Sequence, residues 1–324
     1  MRARGGAAAR DQNERQQSGA VVHMLDDKVR DIVVAMEHPF VLLNVFAVAG
    51  RTLSGNPLCV FERAEPFDDQ QMQALARQFN LSETTFVLPA SDSTATKRVR
   101  IFTPSFEMPF AGHPTLGTAH VVRRITGIGD RLVLEMKAGH VEVIAHGDEW
   151  TLRAARPPEV RKPDASRLQL ATMLGLNEHS MAEQPLWVDT GAEQLVLPLQ
   201  SPAEVVAARP NAELLAKHGF SQRRGASMAY VWARSGEGEI LARYFFVSGG
   251  GVIEDPATGS ACANLGGWMI ATGKPLPVRY TISQGEAVER PSLLHLHVDE
   301  DRHIFVSGLV EELGRGTITL PASS

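Results

Sequence analysis

The residues best placed to do chemistry lie in positions 254–270, EDPATGSACANLGGWMI, where an acidic pair, a proline, small residues and hydroxyls run into an apolar segment that starts at Cys262. This segment reads as a buried helix, with Asp255 or Thr258 available to cap it. The Gly259 and Ser260 amides then point outward without intrahelical partners, where the positive end of the helix dipole favours a carboxylate. The expected chemistry begins with holding a small anion.

Positions 107–122, EMPFAGHPTLGTAHVV, repeat the device. Gly112, His113, Pro114 and Thr115 lead into a second apolar run, so a second helix entry is expected there. Arg100-Ile-Phe102 stands before it about as far as Arg243-Tyr-Phe245 stands before the other, Thr115 and Thr258 keep the same offset, and Gly117-Thr-Ala119 matches Gly259-Ser-Ala261 after a one-residue gap. A third stretch, NLSETTF at 80–86, places Ser82 and Glu83 just before an apolar strand, where rigid backbone would hold a carboxylate. Alone, Glu83 reads as a solvated loop glutamate; its companions give it a role.

The elements that must position these groups recur in one order. Strands are expected at 40–46 and 58–61, a helix at 68–78 capped by Asp68 or Asp69, a strand at 98–103, the glycine-led helix from Gly112, a hairpin around Gly139 and a strand at 149–153. After the prolines at 157, 158 and 163 come strands at 186–190 and 194–199, a helix at 212–218, strands at 226–233 and 239–246, the helix after Pro256 and a closing hairpin, 293–298 with 304–309. Elements recurring in the same order argue duplication. The fold class expected is α+β, two pseudo-symmetric lobes each wrapping a sheet around its own apolar helix. A chain of 324 residues exceeds what one core usually serves, so the lobes are placed at 38–157 and 158–324. Residues 1–37 read as a disordered extension, with Met24 or Met36 as alternative starts and a short helix at 29–36.

Composition narrows the partners. The chain is 44% apolar and 21% charged with a net charge of −5, which gives no basic field for nucleic acid or an anionic membrane. No apolar run is long enough to span a bilayer. Two cysteines, Cys59 and Cys262, exclude a disulfide scaffold and fit a cytoplasmic location; both read as inert buried thiols. His295-x-His297 lacks a third metal ligand, so no metal site is expected. Gly249, Gly250 and Gly251 lack the lysine of a phosphate loop and read as a flexible lip. Arg100 and Arg243 are expected to pair with carboxylates inside the sheets.

Four spaced motifs, GNPLCVF, NLSETTFV, RIFTPSFEMPFAGHPTLGTAHVV and EDPATGSA, resemble the PhzF family of phenazine biosynthesis, over roughly 39–309. The family's named activity is trans-2,3-dihydro-3-hydroxyanthranilate isomerase, on the two-lobed fold of diaminopimelate epimerase. The resemblance implies that Glu83 is the proton-transferring acid/base, and that Ser82, Gly112, His113, Asp255, Gly259 and Ser260 surround a small carboxylic acid. It implies no cofactor, and by analogy a homodimer. Two rivals stand beside this reading. Epimerisation by paired thiols is disfavoured because neither helix entry holds a cysteine, which leaves Glu83 with Asp255 or His113 as an alternative base pair. A binding protein with a vestigial pocket would keep the cleft and exchange no protons.

Overall fold

The computed structural model describes residues 35–321. The first half contains β1 (Ala35–Ala47), β2 (Asn56–Phe61), α1 (Asp69–Phe79), β3 (Glu83–Leu88), β4 (Lys97–Phe102), β5 (Glu107–Met108), α2 (Gly112–Thr126), β6 (Arg131–Met136), β7 (Gly139–His146) and β8 (Glu149–Arg153). The second contains β9 (Glu159–Arg161), α3 (Arg167–Met173), β10 (Leu186–Asp189), β11 (Gln194–Pro198), α4 (Pro202–Ala207), α5 (Ala212–His218), β12 (Phe220–Ser221), β13 (Ala226–Gly236), β14 (Glu239–Ser248), β15 (Gly251–Asp255), α6 (Gly259–Ala271), β16 (Val278–Gln284), β17 (Ser292–Val298) and β18 (Ile304–Pro321). The elements that build the site lie within one compact unit, residues 39–316.

The pairing order of the first half is repeated in the second. β1–β2 is antiparallel, β2–β3 parallel, β3–β4 antiparallel, β4–β6 parallel and β6–β7 antiparallel. β10–β11, β11–β13, β13–β14, β14–β16 and β16–β17 follow with the same senses. In each half a short hairpin, β4–β5 or β14–β15, delivers the chain into the central helix. β18 belongs to both halves. It pairs antiparallel with β17 and, through Val306 opposite Leu152 and Gly308 opposite Trp150, with β8. Because β18 also pairs with β1, the strands around α2 close into an eight-stranded barrel.

Both central helices are buried almost all round, as their apolar sequences require. Along α2 everything from Gly112 to Ala119 is buried, and along α6 everything from Ala261 to Met269. Close packing explains two helical glycines. A Cβ on Gly117 would lie 2.6 Å from a Leu58 methyl, and one on Gly266 2.9 Å from an Ile304 methyl. α1 forms where the sequence places it, with Asp68 accepting from the Gln71 amide and the Gln71 side chain answering, a reciprocal capping box.

Several expectations need correction. The first strand begins at Ala35, before the expected boundary at residue 37; the disordered extension otherwise lies outside the described residues, as does most of the helix expected at 29–36. α6 starts at Gly259, and neither Asp255 nor Thr258 caps it with a side-chain bond: Thr258 holds the cap position, but its hydroxyl donates to Asp255 at 2.5 Å. The last strand runs to Pro321, far beyond residue 309.

Candidate active site

Glu83 opens β3, where it stands opposite Leu58 in the parallel ladder with β2. Asn80, left-handed at φ 52°, ends α1 and turns the chain toward this strand. The Glu83 side chain is 15% exposed and that of His113, on the first turn of α2, 7%. Glu83 Oε2 and His113 Nε2 lie 3.4 Å apart but are not aligned as a hydrogen bond, and neither atom has another partner. Buried polar atoms without partners are uncommon and costly. Here two of them face each other.

Their protonation follows from their surroundings. Burial, reinforced by the negative charge of Asp255, pushes the Glu83 carboxyl up to about 8. Burial pushes the His113 imidazole down to about 3, opposed by its hydrogen bond to the Pro57 carbonyl. Since Nε2 is unpartnered, that bond comes from Nδ1–H, and a neutral imidazole presents its Nε2 lone pair to Glu83. Asp255 is pushed up to about 6 by burial, against the pull of hydrogen bonds from Thr258 and Asn56.

Asp255, the last residue of β15, is fully engaged by comparison. Asn56 Nδ2 donates to its Oδ1 at 3.1 Å and to the Ala257 carbonyl at 2.9 Å. Gln284 Nε2 donates to the Asp255 carbonyl at 2.9 Å and to Thr258 Oγ1 at 3.1 Å. The loop between β15 and α6 is thus fixed by amides from both halves of the chain.

The two helix entries meet. A Cβ added to Gly112 would lie 3.7 Å from both Gly259 Cα and the Ser260 nitrogen. No acceptor within the described residues is bonded to the Gly259 or Ser260 amide, so this junction can take a carboxylate. A largely apolar cavity opens beside it, lined by Phe46, Phe110, Gly112, Gly259, Ser260 and Val306 among others. It touches the helix-entry end of the site; Glu83, His113 and Asp255 do not line it. Phe46 adopts φ 62°, a left-handed backbone that bulky residues rarely hold, and its ring packs where a Cβ on Gly308 would come within 2.4 Å.

Of the residues singled out from sequence, Glu83, His113, Asp255, Gly112, Gly259 and Ser260 converge. Ser82 is adjacent in the chain, but its side chain is exposed at the bend before β3. Sequence reasoning missed Asn56, Gln194, Tyr244, Asn264 and Gln284. Asn264 carried a readable signal, a lone amide inside an otherwise apolar helix, which demands a buried partner. Arg100 and Arg243 take the structural role expected: each makes two bonds to one glutamate, Glu107 or Glu254. Burial pushes the Cys59 and Cys262 thiols up, away from reactivity. His295 faces Thr281 Oγ1 at 3.3 Å and His297 stacks on Phe305, and no described cluster joins them as metal ligands. Gly249 and Gly250, at φ 58° and 80°, turn the chain between β14 and β15. No helix among the described residues is long and apolar enough to cross a membrane.

Residues 44–310 match the family of phenazine biosynthesis-like proteins. Over 281 residues the chain is 39% identical to an uncharacterized isomerase of Pasteurella multocida, covering 87% of this chain and 94% of the relative. Over 294 residues it is 33% identical to the trans-2,3-dihydro-3-hydroxyanthranilate isomerase of Pseudomonas chlororaphis, covering 87% of this chain and all of the relative. The solved PhzF-family phenazine biosynthesis protein of Bacillus anthracis shares the fold with a TM-score of 0.76 at 21% identity, over 88% of this chain and 99% of that one. Paired helix entries inside a doubled, strand-wrapped frame define an isomerase of the diaminopimelate epimerase-like fold. Within that class, the chain belongs to the PhzF family of phenazine biosynthesis-like proteins.

Proposed function

We propose that this isomerase moves a proton between carbons of a small conjugated carboxylic acid that bears an amino or hydroxyl group, with Glu83 as the acid/base. The observation that carries this reading is the unpartnered pair Glu83 Oε2 and His113 Nε2 at 3.4 Å, with the carboxyl pushed up to about 8. A proton carrier works best when its pKa lies near the working pH. The Gly112 and Gly259–Ser260 junction holds the substrate carboxylate, and Asp255 receives a hydrogen from the amino or hydroxyl group. Ionised Glu83 removes a proton from one carbon, the electron pair shifts along the conjugated system, and the new Glu83 acid returns the proton to another carbon on the same face. A small rotation of the protonated carboxyl lets the neutral His113 lone pair, 3.4 Å away, accept from it and hold it in place between the two transfers. The Pseudomonas chlororaphis relative is named for a substrate of this chemical kind.

The test is solvent deuterium incorporation into candidate acids, 3-hydroxyanthranilate among them as a bound probe. Glu83→Gln should abolish incorporation while binding persists; wild-type incorporation in that variant removes Glu83 from the mechanism. A second reading is epimerisation with Glu83 and Asp255 as opposed bases, since both are buried carboxyls pushed up from the usual range. It requires that Asp255→Asn lose turnover as completely as Glu83→Gln.

A further inference from the structure

Beside the junction of the two helix entries, the cavity is lined almost entirely by apolar groups. Phe46, Leu152, Val306 and Ala263 are buried at its floor, while Ala155 and Gly191 are exposed at its rim. Thr190 and Ser260 supply the polar side chains of the lining, and both are engaged. The Thr190 hydroxyl bonds Asn264 Oδ1 at 2.7 Å, and Ser260 Oγ accepts from Gln194 Nε2 at 2.8 Å. The charged groups next in the chain to this lining are paired with each other, Arg156 Nη2 lying 2.6 Å from Asp189 Oδ2. Away from the helix entries, a ligand in the cavity meets hydrocarbon.

The space is also preformed. Asn264, on α6, accepts from the Thr190 N–H at 2.9 Å and donates to the Ala192 carbonyl at 2.7 Å, which ties the wall at 190–192 to the helix. A Cβ on Gly191 would lie 3.5 Å from the Ala155 methyl, so the rim is narrow. Protein interiors leave few voids larger than a water molecule. This one exists because positions 154, 155, 192 and 263, all on its lining, carry alanine. An apolar space of this kind holds water poorly and hydrocarbon well.

We infer that the cavity receives an uncharged hydrocarbon group of the substrate, a short alkyl or alkenyl chain, and that Ala155, Ala192 and Ala263 set the size it accepts. The inference rests on the small-acid reading given above and narrows its substrate class. Gly112, Gly259 and Ser260, which would hold the carboxylate, are also walls of the cavity. An acid anchored there presents its reacting carbons to Glu83 and lays its apolar end among the alanines. Acids with a second charge at that end are rejected, because the lining has nothing to pair with it.

The experiment measures dissociation constants by calorimetry on the full chain for crotonate, 2-pentenoate and sorbate, which lengthen the chain one carbon at a time. trans,trans-Muconate, in which a carboxylate replaces the terminal methyl of sorbate, is the fourth probe. Wild type should bind more tightly by about fourfold for each added carbon, the worth of one buried methylene, and muconate should bind at least tenfold more weakly than sorbate. Ala155→Leu and Ala263→Val should each cut the gain from crotonate to sorbate to below twofold. Ala155 is exposed, so its variant tests the cavity even if Ala263→Val fails to fold. Equal affinity for the three monoacids overturns the inference, as does muconate binding as tightly as sorbate or an unchanged gain in Ala155→Leu. Absence of binding by every acid would instead sink the small-acid reading and this inference with it. A Glu83→Gln protein that still exchanged protons would sink the proton-transfer step and leave the chain-length series intact.

Discussion

The two helix entries share a frame and differ in what they carry. Before α2, Arg100 grips Glu107 across β4 and β5 and lies 5.0 Å from the Phe102 ring centre. Before α6, Arg243 grips Glu254 across β14 and β15 and lies 4.7 Å from the Phe245 ring centre. Beyond that frame the first entry delivers His113 to Glu83, with atoms left unpartnered, while the second delivers Asp255 and Ser260, each already held by amides. The two halves keep one scaffold, and the polar groups loaded onto it differ. Hydrogen bonding is unfinished at Glu83 and His113 and finished at Asp255 and Ser260, and the proposed proton transfer falls in the unfinished half.

The sharpest way to break this contrast is to neutralise one acid from each half. Glu83→Gln should lower solvent-proton exchange by about a thousandfold or more, within the range removed with a general acid/base, and Asp255→Asn by about a hundredfold less than that. Equal losses would favour the two-base epimerase and erase the asymmetry. The framing arginines should separate next. Arg243 and Glu254 are 9% and 8% exposed, and Arg243 also bonds the Val205, Val206 and Ala208 carbonyls. Removing it leaves a buried glutamate unpaired, at about 3–5 kcal/mol. Arg100 and Glu107 are each about one-fifth exposed, so Arg100→Ala should cost nearer about 1 kcal/mol in the same urea titration.

Another effect is linked to pH. Glu83 titrates at about 8 in the folded chain against 4.5 when free, so the folded state binds the extra proton between those values and stability falls as pH rises through that window. Glu83→Gln should therefore exceed wild type in stability above pH 8 by about 2–4 kcal/mol, and the gap should close as pH falls toward 4.5. A gap that does not change with pH would mean the carboxyl is solvated. Gly308→Ala, whose methyl meets the Phe46 ring, should lose about 1–3 kcal/mol from overpacking. Because that ring also abuts Gly259, crystallography of the variant should show the α6 entry displaced more than the α2 entry.

Much of this frame was legible in the residues. Asp68 announced α1, the bounds of α5 at 212–218 and β8 at 149–153 match expectation, and the two glycine-led helices were found from their apolar runs. What escaped lacked periodic contrast. The end of β18, EELGRGTITLP, is glycine-bearing and half exposed, so no buried face marks it as strand. α3 and α4 are only seven and six residues long, too short to establish a helical period. In the site, residues that announce themselves by type, Glu83, His113 and Asp255, were readable. Gln194 and Gln284 were not, because a glutamine at the end of a strand takes its meaning only from what lies across the fold.

The strand common to both halves bears on how such a chain could arise. Cut before Ile304, the molecule would expose the edge of β8 along the stretch that Phe305 to Leu309 now covers, and a bare edge invites pairing with another copy. A half-length ancestor would thus have met its own twin in solution, each lending the other a closing strand. Fusing two such genes would turn that exchange into an internal one and free each copy of the active-site loop to evolve alone.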